Sequence, residues 1–461
     1  MHTIFVVFWS TGDLAKRKLF PALYNIYAHQ KDAELDIIWV WRRAFDASEF
    51  RTYVQNETEE FIQQGDDFSV FLQKIQYSEV ELEKQEDYLT LQTSIEKLQK
   101  KDSQVIFYLA ISPSYFYAFV DNYKAMSLQW DIKVIFEKPF WTDLKTAREL
   151  NSKITEVFSE EQIYRIDHYV GKEAIQNIFA FRFANTIFES IRNNKYIDNI
   201  QITAMENIWV GNRGGYYDEF WASRDMVQNH LLHVLSLVVM SPPASISAEA
   251  IKQEKLHIFK SIVLGDDFDN KVVFGQYEGY KDEANIAPNS RTETFVAMKL
   301  EVNTWDFAWV PIYLRTGKNL SKKSTKIVVE FKEIPNILFK NIWPVEQNRI
   351  IFEVQPNESI DIHFNIKQNG NSKEVERVAS KFVKQEESKE AYEKLLEDTI
   401  IGDKTLFTSW DILEESWKII DNLVHCKNNC PIVHTYKPGT NWPEASNLLL
   451  QNDKRKWYEW I

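Results

Sequence analysis

The chain reads as a doubly wound α/β domain followed by an α+β domain with a large, mainly antiparallel sheet. Three observations predict this. Through about residue 175, short apolar runs alternate with helical segments, the βαβ rhythm of a mostly parallel sheet. A long apolar helix then ends at Ser241-Pro242-Pro243, because proline cannot continue a helix. From residue 272 onward, strand-like runs follow one another in meander style. The sequence sets the domains at residues 1–175 and 176–461.

In the first domain the buried-strand runs are residues 3–8, 36–41, 104–110 and 132–136, with a short strand near 162–165. Residues 14–28 read as the first helix. In the second, a helix passes through Asn185 and Ile191, a strand covers 199–204, and a long helix covers 222–240. Strands are expected at 272–277, 292–302, 312–315, 326–331, 349–354 and 360–366. The charged stretch from Lys373 to Glu397 reads as a loop running into a solvated helix.

Composition is that of an ordinary globular chain, 461 residues with 44% hydrophobic and 26% charged. A formal charge of −13 argues against a nucleic-acid partner, which calls for a basic face. The apolar run at the N-terminus enters a turn, not a cleavage site, and residues 231–240 are too few to span a bilayer. A cytoplasmic protein with no membrane partner is the reading. The two cysteines, Cys426 and Cys430, lie beside His425 and near His434. They read as free thiols or a small metal site, and no metal is assigned.

The chemistry concentrates in two clusters. Arg165-Ile166-Asp167-His168-Tyr169-Val170-Gly171-Lys172-Glu173 packs an acid, an imidazole, a phenol and an ammonium at the end of a strand. It looks like a phosphate cradle beside a catalytic acid. Arg224-Asp225-Met226-Val227-Gln228-Asn229-His230 opens the long helix, with Asp225 and Asn229 on one face. The first half of that helix would line a pocket, and the apolar second half would be core.

These stretches resemble the glucose-6-phosphate dehydrogenase family, over nearly the whole chain. Asp167 to Glu173 carries that family's most specific sequence, with Val170 where leucine is usual. Gly12-Asp13-Leu14-Ala15-Lys16-Arg17-Lys18-Leu19 resembles its first turn and helix, and Tyr108-Leu109-Ala110 with Pro113 and Glu137-Lys138-Pro139-Phe140 resemble its nicotinamide surroundings. Arg213-Gly214-Gly215-Tyr216-Tyr217, Ser290-Arg291-Thr292-Glu293-Thr294, Tyr313-Leu314-Arg315-Thr316-Gly317-Lys318 and Asp403-Lys404-Thr405-Leu406-Phe407 follow in the family's order.

The resemblance implies oxidation of glucose 6-phosphate to 6-phosphogluconolactone by hydride transfer from C1 to NADP, the first step of the oxidative pentose phosphate pathway. It implies a Rossmann-type first domain and a homodimer or homotetramer formed through the large sheet. His230 would be the general base and Asp167 the acid that orients it. His168, Tyr169, Lys172 and Lys323 would hold the 6-phosphate. Glu206 and Asp225 would accept from sugar hydroxyls, Lys138 would bridge sugar and cofactor, and Lys318 is a further candidate. The cofactor turn would be Trp9, Ser10, Thr11, Gly12, Asp13 and Leu14, with Ala110 and Pro113 opposite. Where an NAD-selective site ends its second strand in an acid, this chain has Arg42-Arg43. Two guanidinium groups favour a 2′-phosphate, hence NADP.

Against the family pattern, Trp9, Trp39, Trp41, Trp141, Trp209, Trp221, Trp309 and Trp442 stand where glycine is usual. Trp305 and Trp417 stand where the family tends to have tryptophan, and Trp130, Trp343, Trp410, Trp457 and Trp460 have no assignment. The chain holds 15 tryptophans against 13 glycines, under half the usual ~7% for glycine. Some bacterial lineages read the codon UGA as glycine, and translating such a gene with UGA as tryptophan would produce this pattern. With the tryptophans in place, two other readings stand beside the dehydrogenase. One is a catalytically impaired sugar-phosphate-binding protein, and the other a different two-domain oxidoreductase.

Overall fold

The computed structural model describes residues 2–9, 12–29, 34–62, 67–128, 130–265, 268–335, 345–370, 375–383, 389–429 and 432–459. Two compact units divide the chain. Met1–Gly171 forms the first with Ser247–Glu249 and Lys389–Glu414; Lys172–Ile246, Ala250–Ser388 and Glu415–Ile461 form the second.

The first unit is a six-stranded sheet of β1 (Thr3–Phe8), β2 (Leu35–Trp41), β3 (Ile75–Glu79), β4 (Gln104–Leu109), β5 (Asp131–Phe136) and β6 (Ile163–Arg165). The order is β3-β2-β1-β4-β5-β6, and every pairing is parallel. Both faces are covered, so β1 and β4 are buried at every residue, which is why each is apolar after its first residue. The sequence reading missed β3. Its Ile75-Gln76-Tyr77-Ser78-Glu79 is a half-buried edge strand, too polar to stand out as an apolar run.

The second unit is a ten-stranded sheet. Its strands are β7 (Ile197–Met205), β8 (Ile262–Val263), β9 (Val272–Tyr277), β10 (Phe295–Val302), β11 (Ile312–Gly317), β12 (Ser324–Phe331), β13 (Arg349–Gln355), β14 (Ser359–Lys367), β15 (Val375–Val383) and β16 (Val433–Tyr436). The order is β15-β14-β13-β12-β7-β11-β10-β9-β16, with β8 paired to β10. Pairings are antiparallel except β7 with β11 and β9 with β16. The expected long helix is present as Ser223–Leu231, wound with wide i→i+5 turns, continuing into the α-helix Leu232–Val239. The helix expected through Asn185 and Ile191 is two helices, Glu173–Phe183 and Thr186–Ser190.

The charged stretch from Lys373 to Glu397 departs from expectation twice. Val375–Val383 is the edge strand β15, not a loop, and it is mostly exposed, so its charges hid the strand. The helix Ala391–Ile401 is not simply solvated. Tyr392, Leu395 and Leu396 pack into the core beside Phe5, Leu19 and Tyr108. The charged residues around them pair instead: Lys389 with Glu397 at 2.8 Å and Lys394 with Asp398 at 2.5 Å.

Lys133 of β5 ties that helix to the sheet. Its buried ammonium donates to the carbonyls of Thr399 (2.8 Å) and Ile400 (3.2 Å) and to Gln104 Oε1 (2.8 Å). The end of a helix leaves such carbonyls without intrahelical partners, and a cation there also meets the negative end of the dipole. Lys133→Ala is expected to lower unfolding free energy by about 2–3 kcal/mol, measured by urea titration.

Candidate active site

A parallel strand delivers its next residue to the C-terminal edge of the sheet. In the first unit that edge receives Trp9 after β1, Arg42 after β2, Ala110 after β4, Glu137 after β5 and Asp167 just beyond β6. The strand order reverses between β1 and β4, and ligands of open α/β sheets bind at such a switch point. A cavity of 270 Å³ lies there, lined by Phe8, Trp9, Val40, Trp41, Arg42 and Tyr115 among others.

The structure therefore brings Trp9, Arg42 and the segment after β4 together around one cavity. Asp13 and Leu14 begin the first helix, directly after Gly12; Ser10 and Thr11 lie outside the described residues. Asp13 is exposed and pairs with Arg17 at 2.6 Å. Arg42 and Arg43 are exposed, each resting on an aromatic ring, Trp41 at 5.7 Å and Phe45 at 5.2 Å. Ala110 and Pro113 are half-buried at the end of β4.

A dinucleotide fits one end of this site and not the other. The two guanidinium groups suit a 2′-phosphate. At the turn, the Trp9 indole meets the Trp41 ring edge-on at 4.2 Å between centroids. Trp9 Cδ1 also lies 2.9 Å from where a β-carbon on Gly12 would be. An aromatic ring thus occupies the space over the helix start, where a pyrophosphate needs bare backbone N–H groups.

Beyond β6, Asp167 is 1% exposed, and its carboxylate accepts the Tyr169 backbone N–H at 2.9 Å. His168 is half-buried, with its ring 5.4 Å from Tyr169 and nearly parallel to Tyr392 at 6.1 Å. Lys138 is half-buried after β5. Its neighbour Glu137 stands in the same Glu137-Lys138-Pro139-Phe140 motif. The Glu137 carboxylate accepts from the Tyr108 hydroxyl, and Tyr392 also hydrogen-bonds it. Burial raises its pKa to about 7 against these donors. Tyr392 carried no signal, being hidden in the charged stretch.

In the second unit, parallel register pairs Met205 of β7 with Gly317 of β11. The next residues therefore meet: Lys318 donates to Glu206 at 2.6 Å and lies 3.6 Å from Asp225. The Tyr217 ring lies 5.1 Å from the Lys318 ammonium. Burial works to lower the Lys318 pKa, but Glu206 and Asp225 outweigh it and the net direction is up. Lys318 is therefore central to the cluster, more than its place as a further candidate implied. Asp225 and His230 sit on the wide-turn helix, with His230 fully buried. The helix start is fixed by buried Glu293, which accepts from Ser223 Oγ at 2.8 Å. Asn229 turns to its own backbone, accepting the His230 N–H at 2.6 Å. Lys172 donates to Gln355 at 3.1 Å, and Lys323 is exposed between β11 and β12. Cys430 lies outside the described residues, and nothing is described of the Cys426 and His425 side chains.

Residues 6–177 match the glucose-6-phosphate dehydrogenase NAD binding domain, and residues 179–458 the C-terminal domain of the same family. The chain belongs to the glucose-6-phosphate dehydrogenase family. The glucose-6-phosphate 1-dehydrogenases of Borreliella burgdorferi and Bacillus subtilis are 37% and 36% identical to it. These cover 97% and 99% of this chain and 96% and 98% of their own. A solved glucose-6-phosphate dehydrogenase in complex with its substrate glucose-6-phosphate superposes with a TM-score of 0.92 at 29% identity, covering 99% of both chains. The Mycobacterium avium glucose-6-phosphate 1-dehydrogenase gives 0.87 at 31% identity, covering 100% of both. The match to both family domains sets aside a different two-domain oxidoreductase, and the relatives do not favour the impaired binding protein. Among the described residues, no helix is long and apolar enough to cross a membrane.

The Glu137 pair predicts a pH effect. Its carboxyl ionises near 4.5 unfolded and near 7 folded, so the folded state holds the extra proton between those values. Stability is then highest below pH 4.5 for this group and falls as pH rises to 7, by about 3 kcal/mol. Glu137→Gln is expected to remove that fall, as read from denaturant midpoints across pH 5 to 7.5.

Proposed function

We propose that the protein oxidises glucose 6-phosphate at C1 to 6-phosphogluconolactone, with NADP as the hydride acceptor. The observation that carries this reading is the Glu206–Lys318–Asp225 cluster beside the helix of His230. Two carboxylates held beside one half-buried ammonium can accept from vicinal sugar hydroxyls, the cation offsetting part of their mutual repulsion. His230 takes the C1 hydroxyl proton as hydride leaves, a task suited to imidazole. Asp167 is the second catalytic group. His168, Tyr169, Lys172 and Lys323 bind the phosphate, and Lys138 contacts substrate at the nicotinamide side. Arg42 and Arg43 support NADP over NAD through the 2′-phosphate.

A homo-oligomer in the cytoplasm completes the reading. Phe364, Ile366 and Phe382 are 48%, 46% and 56% exposed. Antiparallel register puts all three on one face of β14 and β15, an apolar surface suited to self-association and measurable by sedimentation velocity.

His230→Asn is expected to lower kcat by roughly 100- to 10,000-fold while glucose 6-phosphate still binds; turnover near the parent's would remove His230 from the mechanism. Arg42→Ala with Arg43→Ala should raise KM for NADP by about tenfold or more and leave KM for NAD little changed. Steady-state assays with the two dinucleotides decide that.

A further inference from the structure

Backbone handedness separates the tryptophans of this chain into two groups. Among the described residues, Trp9, Trp141 and Trp309 have φ of 71°, 78° and 66°. The other non-glycine residues at positive φ are Asp102, Asn285, Asn319 and Lys454. Asn and Asp tolerate left-handed backbone through a local side-chain hydrogen bond, whereas a bulky aromatic residue there is a steric outlier. Trp221, at φ 1° and ψ 172° after the helix Gly214–Phe220, is not in the left-handed group. The remaining left-handed positions are glycines: Gly211, Gly265, Gly279, Gly370, Gly402 and Gly439.

Strain of this kind persists where burial offsets it or where function uses it. Neither applies at Trp309. Its side chain is 91% exposed, and it precedes β11, at the opposite end of that strand from Lys318. At Trp9 the ring covers the helix start that an anion would need. Trp221 has its ring against the Arg224 guanidinium at 3.7 Å, and Trp141 is buried against Phe116. Other tryptophans behave as tryptophan does. Trp417 is buried inside the helix Trp410–Asn429. Trp457 is buried, with its Nε1 donating to Ser446 O at 3.0 Å. Trp39 is intermediate: it lies in ordinary strand backbone, fully buried on Phe20, with no hydrogen bond to its Nε1 among the described residues.

We propose that residues 9, 141 and 309 are glycine in the protein the cell makes, the gene reading UGA as glycine. The turn after β1 is then open, and the misfit between Trp9 and a pyrophosphate disappears. Glycine takes φ > 0 without the β-carbon clash, so the same change relieves all three positions.

The coding sequence and the native protein test this directly. UGA is expected at codons 9, 141 and 309 and UGG at 417 and 457, with glycine at the three positions in peptides from native cells. UGG at codons 9 and 309, or native peptides carrying indole there, overturns the proposal. Neither readout depends on the reaction proposed above, so the two can fail separately. A chain carrying Trp9→Gly, Trp141→Gly and Trp309→Gly is expected to melt at a higher temperature than the chain with tryptophan. It should also bind NADP about tenfold or more tightly by fluorescence titration. Equal melting together with equal affinity would overturn the steric argument.

Discussion

Parallel pairing is the constraint on which both halves of this molecule depend. A parallel strand must be followed by a crossover, so its C-terminal end is where the chain leaves the sheet and where side chains can converge. In the first unit five such ends present Trp9, Arg42, Ala110, Glu137 and Asp167 along one edge. In the second unit the sheet is mainly antiparallel, yet β7 and β11 run parallel, and their shared end makes the Glu206–Lys318 pair. An antiparallel pair at that place would send the two residues to opposite edges.

The buried charges around these ends are arranged so that few stand alone. Lys318 pairs with two carboxylates, Glu137 is met by two tyrosines, and Lys133 closes the end of a helix. Each is a buried charge or acid met by partners that offset its desolvation. The wide-turn helix holding His230 adds a local irregularity of a kind that recurs at functional sites. Its start rests on Glu293, far away in sequence.

The tryptophans show how a backbone can contradict the residue placed on it. The fold keeps left-handed turns at 9, 141 and 309, although an indole is among the poorest occupants of that conformation. Local geometry and family pattern agree there on glycine. At Trp39, Trp41, Trp209 and Trp442 no positive φ arises, so only the pattern speaks.

The sequence by itself determined much of the first unit and the identity of the family. Parallel strands covered on both faces are mostly apolar, so β1, β2, β4 and β5 were legible as runs, and the Asp167–Glu173 and Arg224–His230 clusters were legible as chemistry. It could not show β3 or β15, whose polar and charged residues belong to sheet edges, or that Tyr392 lies in a core. Those depend on which faces are covered, and coverage is decided by segments distant in the chain. The central role of Lys318 was likewise a tertiary decision. Its charge is set by Glu206 and Asp225, 112 residues and some 90 residues earlier in the chain, and only the β7–β11 register and the helix beside it bring the three together.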